Sequence, residues 1–127
     1  HGLFTHGFPN CFLMGMTQTG LTPNYPHGLD EQASHIAHVI KHAKDSNNSR
    51  IEATQEAEDE WVQQVIAKAR LGARFFAECT PGYYNNEGKP GSGKTFADNT
   101  YGGGPIEFFS ILKKWREEGE LKGLEVS

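Results

Sequence analysis

Residues 11–43 read CFLMGMTQTGLTPNYPHGLDEQASHIAHVIKHA. The run CFLMG, residues 11–15, is apolar, short, and bounded by Pro9-Asn10 and Gly15, which predicts a buried strand over 11–15. A loop of Thr, Gly and Pro follows. Leu29, Ala33, Ile36, Ala37, Ile40 and Ala43 then recur at helical spacing, predicting a helix over about 27–44. Asp30 and Glu31 read as first-turn carboxylates, and Lys41, His42 and Lys44 as their counterparts at the far end of the dipole. In open α/β sheets, ligands bind beyond the carboxyl ends of strands. The loop therefore draws attention, with His27, Gly28 and Leu29 as candidate N–H donors. Pro26 has no N–H to offer.

Outward from this unit, Ser49 and Glu52 have capping-box spacing. They predict a second helix over about 50–71 that buries Trp61, Val62, Val65, Ile66 and Ala69. Residues 80–104 are rich in Gly, Tyr and Asn and read as one long loop. Pro105 suits a helix start and Gly119 a stop, so a third helix is expected over 105–118, with Ile106, Phe109, Leu112 and Trp115 on its apolar side. Residues 124–126 read as a last short strand. One firm strand, three helices and a 25-residue loop are too little for a self-sufficient parallel sheet. The fold class is an α/β fragment that completes a sheet supplied by other residues. The start at His1, without Met or cap, fits a piece of a longer chain.

The chain has 127 residues, about one domain's worth, with 36% hydrophobic residues and a net charge of −4. No basic stripe suggests a nucleic-acid partner. No leader and no apolar run of membrane-spanning length is visible, so a cytoplasmic protein with no membrane span is expected. Cys11 and Cys79 lack ligand or redox spacing, and Cys11 reads as a buried thiol.

Gly88 to Thr95 spell GKPGSGKT, a letter-for-letter phosphate-loop match. Neither flank fits that reading. TPGYYNNE before it is polar rather than a strand, and FADNTYGGGP after it cannot open a helix at Lys94-Thr95. His35, His38 and His42 are spaced along one helix, but they form an incomplete ligand set and no metal is expected. No G-x-S-x-G elbow supports nucleophilic catalysis. Two alternatives stay open: a stand-alone P-loop hydrolase through Lys94 and Thr95, and a non-catalytic binding domain.

The wording of residues 7–32, GFPNCFLMGMTQTGLTPNYPHGLDEQ, resembles the carboxy-terminal part of the Baeyer–Villiger monooxygenases. There a Gly-[Phe/Tyr]-Pro-Asn leads into an apolar strand, a Gly/Pro/Ser-rich loop and a helix beginning near Glu-Gln. CTPGYYNNEGKPG, TYGGGPIEFFSILKKWREEG and the helix around Glu58-Asp59-Glu60-Trp61-Val62 are similar to the same family.

The resemblance implies the returning carboxy-terminal half of a split, Rossmann-like FAD-binding domain. FAD and NADPH would serve the complete enzyme, which converts ketones to esters or lactones with O₂. The partner would be the rest of the same polypeptide, with its amino-terminal FAD half and NADPH domain. Met16, Thr17, Gln18, Thr19 and His27 would lie at the flavin, and Thr22, Pro23, Asn24 and Tyr25 would line the ketone pocket. The family's G-x-G-x-x-G, its F-x-G-x-x-x-H-x-x-x-W fingerprint and its active-site arginine are not among these residues. No catalytic residue is therefore assigned here, and the fragment alone is expected neither to hold FAD tightly nor to turn over. The MTQTGLTP loop departs from the family's Gly-Pro-x-Ser-Pro type, so the resemblance implies no particular ketone.

Overall fold

The structure is a computed structural model and describes residues 1–69, 78, 80–82, 97 and 99–127. Its elements run α1 (Tyr25–Asp45), β1 (Ile51–Ala53), α2 (Gln55–Lys68), α3 (Pro105–Glu118) and β2 (Leu124–Val126). The strands β1 and β2 pair antiparallel, with Ile51 opposite Val126 and Ala53 opposite Leu124. The helices α1 and α3 pack on each other. Most of 80–104 lies outside the described residues, and so do Cys79 and all of GKPGSGKT.

The predicted buried strand at 11–15 is not formed. Phe12 makes one antiparallel bridge with Phe4, and the Leu13 N–H donates to the Leu3 carbonyl at 2.9 Å. Cys11 is exposed rather than a buried thiol, and Leu13 and Met14 are each about half exposed. The run finds a partner along one edge for only two residues, and no described residue covers Leu13 and Met14.

The helix expected from residue 50 begins at Gln55, after a strand where the capping box was read. Asn10 explains the difference. Its N–H donates to the Ile51 carbonyl at 2.8 Å, and its Oδ1 accepts from the Ile51 N–H at 3.0 Å. The side chain of Asn10 thus stands in for a paired strand, with φ at +60°. On the other side, the N–H groups of Ser49 and Arg50 donate to the Ser127 carbonyl. Held from both sides, residues 51–53 stay extended. The true cap is Thr54, whose Oγ1 accepts from the Ala57 N–H at 3.2 Å. Glu52 is buried and receives the Gly7 N–H at 2.6 Å.

Helix α1 starts two residues earlier than its expected bound because Asn24 caps it, accepting from the His27 N–H at 3.3 Å. Asp30 and Glu31 therefore fall beyond the first turn, which carries no acid. The buried face is Gln32, His35, Ile36, Val39 and Ala43, rotated from the expected stripe, and Ala33 and Ala37 are exposed. Two polar residues, Gln32 and His35, occupy the centre of that face. A reading of apolar period cannot credit them.

Helix α3 has the expected bounds, and Gly119 ends it at φ +73°. Its buried residues are Phe108 and Leu112, while Ile106 is 85% exposed. The core joins Leu3, Val39, Trp61, Val65, Tyr101, Phe108 and Leu112. Each such side chain contributes about 1.5–3 kcal/mol through burial.

Candidate functional site

The loop between Gly15 and Gly20 is fixed from three directions. From α1, the Gln32 amide accepts from the Gly15 N–H at 2.9 Å and donates to the Gly15 carbonyl at 3.0 Å. It also reaches Thr19 Oγ1 at 3.4 Å, and that hydroxyl donates to the Gly15 carbonyl at 2.5 Å. From α2, the Trp61 indole N–H donates to the Gln18 carbonyl at 3.1 Å. From the segment before α3, the Asn99 carbonyl accepts the Gln18 N–H at 2.8 Å, and the Tyr101 N–H donates to the Thr19 carbonyl at 2.9 Å. The Gln18 side chain donates to the Ala97 carbonyl at 2.9 Å.

Gly20 seats the loop's end on α3. A Cβ there would stand 2.7 Å from Phe108 Cβ and 2.9 Å from Pro105 Cα. The result is a two-sided loop. Gln18 and Thr19 turn inward, half-buried and buried respectively, while Met16 and Thr17 are exposed. The same stretch of sequence carries further exposed apolar side chains, Leu13, Met14, Leu21 and Tyr25. A cavity of about 200 Å³ opens beside the loop, bordered by Phe4, Leu13, Met14, Thr17, Gln18 and Val62.

Asn24, Tyr25, Pro23 and His27 are exposed at the start of α1, and Thr22 is half-buried. The Thr22 hydroxyl accepts from the Asn24 N–H at 3.3 Å. The His27 N–H, a candidate donor to a ligand, is engaged by Asn24, and the Gly28 N–H donates to the Asn24 carbonyl at 3.2 Å. What His27 leaves exposed is its ring, which stands edge-on to Phe109 at 5.3 Å.

Tyr101 anchors the segment that grips the loop. Its ring stacks on Trp61 with centroids 5.1 Å apart. Its hydroxyl meets Lys68 Nζ at 2.6 Å and Glu107 Oε1 at 2.6 Å, and Lys68 and Glu107 are themselves paired. Burial, and then the bond to Glu107, push the phenol's pKa up. The bonds to Glu107 and Tyr101 raise Lys68, and the bonds to Lys68 and Tyr101 lower Glu107. Both charges of the pair are thereby favoured.

His35 is a different case. Both ring nitrogens are buried without a hydrogen-bond partner, among the rings of His1, Phe4 and Trp115. Its pKa is pushed down to about 3, first by burial and then by the charges of Arg116 and His38. It is a neutral, fully buried core residue. Among the described residues, no group of three or more His, Cys, Asp or Glu is placed to hold a metal, and no helix is long and apolar enough to cross a membrane.

No protein-family model matches the chain. Relatives are nevertheless clear. Pentalenolactone D synthase of Streptomyces arenae is 44% identical over 126 residues, covering 99% of this chain and 21% of the relative. Baeyer-Villiger monooxygenase 4 of Dietzia sp. is 39% identical, covering 98% of this chain and 20% of the relative. The FAD-binding monooxygenase hmp7 of Hypomyces subiculosus is 36% identical, covering 98% and 21%. Among solved structures, a polycyclic ketone monooxygenase from Thermothelomyces thermophila matches with a TM-score of 0.83 at 32% identity, covering 100% of this chain and 20% of that one. Over its whole length the chain is homologous to Baeyer–Villiger monooxygenases.

The chain spans about a fifth of the length of those relatives. A cyclohexanone monooxygenase from Rhodococcus sp., solved with NADP+ bound, shares the fold at a TM-score of 0.71 and 24% identity, covering 99% of this chain and 22% of that one. The Baeyer–Villiger likeness takes in the loop, its three supports and the closing strand. Gln32, Trp61 and Tyr101, which hold the loop, were not legible as site residues. The one signal pointing to Tyr101 was its place in the Tyr-Gly-Gly-Gly-Pro wording.

Proposed function

We propose that these residues are the carboxy-terminal, FAD-side part of a longer flavin monooxygenase that converts ketones to esters or lactones using NADPH and O₂. The observation that carries this reading is homology along the whole chain to relatives of that class. In the proposed arrangement the chain is the returning half of a split FAD-binding domain, and the rest of the same polypeptide supplies the nucleotide-binding half and the NADPH domain.

The flavin's position is assigned to the outer side of the Gly15–Gly20 loop. The residues fit such a group. A flat aromatic ring needs an apolar face and a few polar contacts at its edge. Met14 and Met16 offer the face, and the exposed Thr17 offers hydroxyl and N–H at the edge. Gln18 and Thr19 act from behind by shaping the loop. His27 contributes the exposed ring at the start of α1, and Thr22, Pro23, Asn24 and Tyr25 border the ketone. The flavin, once reduced by NADPH, supplies the oxygen chemistry, while these residues orient it and keep water from it. No residue of this chain is assigned a catalytic role, and the 127 residues alone are expected to be inactive.

The test is a spectrum. The longer protein, purified, should carry flavin absorbance, and Met16→Ala or Thr17→Ala should shift those bands with FAD content retained. A protein that binds no flavin, or bands indifferent to both substitutions, would count against the assignment.

A further inference from the structure

We propose that Trp61 is a positioning residue for this loop: its indole N–H, held in place by the stack on Tyr101, locks Gln18 in the turn that presents Met16 and Thr17 outward. The inference rests on the reading of that loop as flavin-facing.

Gln18 has φ +59°, a left-handed conformation that non-glycine residues adopt only when the surroundings hold them. Three bonds from distant residues hold the main chain of Gln18 and Thr19: Asn99 on the Gln18 N–H, and Trp61 and Tyr101 on the carbonyls of Gln18 and Thr19. Two of these come from main chain. Trp61 supplies the one that comes from a side chain, reaching back 43 residues in sequence.

Trp61 is buried, and indole nitrogen can only donate. A buried indole N–H left without an acceptor is costly, so bond and turn enforce each other. Room for the bond comes from Gly2. A Cβ there would stand 2.7 Å from Gln18 Cβ and 3.2 Å from Trp61 Nε1. The indole's angle is fixed in turn by Tyr101, whose plane lies 13° from it, and Tyr101 also grips Thr19 by its own N–H. One stacked pair therefore sets both carbonyls of the turn.

The experiment uses the full-length FAD-loaded enzyme with Trp61→Phe, which keeps an aromatic ring and loses the donor. Val65→Ala serves as the control. Val65 is fully buried one turn further along α2, so its truncation destabilises the core without touching the loop bond. Three quantities are read: amide hydrogen exchange of peptides covering residues 16–20, the bound-flavin spectrum, and ester formed per NADPH consumed.

Trp61→Phe should speed exchange in the loop about 10-fold, equivalent to about 1.4 kcal/mol, shift the flavin bands, and lower coupling several-fold. Val65→Ala should lower the melting midpoint and leave all three unchanged. If Trp61→Phe does not fold, Gly2→Ala breaks the same bond from the other side and should give the same signature.

Exchange no faster than in the Val65→Ala control would overturn the inference. It would leave the flavin-facing reading standing if Met16→Ala still shifts the spectrum. Faster exchange with an unchanged spectrum and coupling would contradict the flavin-facing reading, and with it the inference.

Discussion

Trp61 lies nearly parallel to Tyr101, with ring centroids 5.1 Å apart and planes inclined by 13°. The pair joins the middle of α2 to the residue that introduces the three glycines before α3. Its consequences for stability separate by atom. Tyr101→Phe keeps the stack and the main-chain bond to Thr19, and it leaves Lys68 and Glu107 paired near the surface. It should cost no more than ~1 kcal/mol. Tyr101→Ala removes the ring from the core and should cost ~3–5 kcal/mol. Denaturant midpoints of the two variants check this, and equal losses would show that the hydroxyl, not the ring, carries the contact.

Gly102 allows the segment to cross the end of α2. A Cβ at this position would fall 1.7 Å from the Lys68 carbonyl oxygen, a backbone atom that cannot turn away. Gly102→Ala should therefore destabilise by at least ~1–3 kcal/mol and speed amide exchange at Tyr101. Gly104 has φ +85° and ψ 169°, a backbone region essentially confined to glycine, so Gly104→Ala should cost ~1–3 kcal/mol of backbone strain although the space around its α-carbon is open. Thermal melts of the two variants check both losses, and an unchanged midpoint for Gly102→Ala would contradict the close approach at Gly102.

Gln32 satisfies both main-chain groups of Gly15 and reaches the Thr19 hydroxyl. Gln32→Leu fills a similar volume and strands the Gly15 N–H. A loss of ~1–3 kcal/mol is expected, with increased exchange at Gly15. Ala33→Leu, on the exposed side of the same helix, should change stability by less than ~0.5 kcal/mol.

His35 makes the fold acid-sensitive. Its folded-state pKa is about 3 against an ordinary value of 6.5. The unfolded chain thus binds a proton that the folded chain refuses between those values. Stability from this residue is complete above pH 6.5 and falls as pH drops toward 3, by up to ~1.4 kcal/mol per pH unit. His35→Leu removes an unpartnered polar ring from the core and the proton with it. Melting midpoints measured from pH 7 to pH 4 should decline less steeply in the variant. Parallel curves would mean that His35 is charged or hydrogen-bonded in the folded protein.

Local chemistry made α3 and β2 legible. Pro105 and Gly119 are punctuation that works without tertiary help, and 124–126 needed only a partner. The misread places are those where a distant residue decides. Asn10 pulls 51–53 into a strand against a well-formed Ser49/Glu52 spacing. Gln32 and His35 turn the buried face of α1 away from Ala33 and Ala37. The run at 11–15 is apolar, and among the described residues its side chains at 13 and 14 stay half exposed. The loop at 16–19 is marked by its place between the apolar run and the helix start as well as by its wording. Its supports, Gln32, Trp61 and Tyr101, lie 13 to 82 residues away from the positions they bond and leave no mark in a local window.

The proposed function is tested most directly by what the full-length protein does with a ketone. The measurement is product analysis after incubation of the flavin-loaded protein with NADPH, a cyclic ketone and isotopically labelled O₂. The account predicts a lactone carrying one labelled oxygen, formed only when all three are present. Ketone recovered unchanged from a panel of cyclic and polycyclic ketones, or a lactone without label, would contradict it.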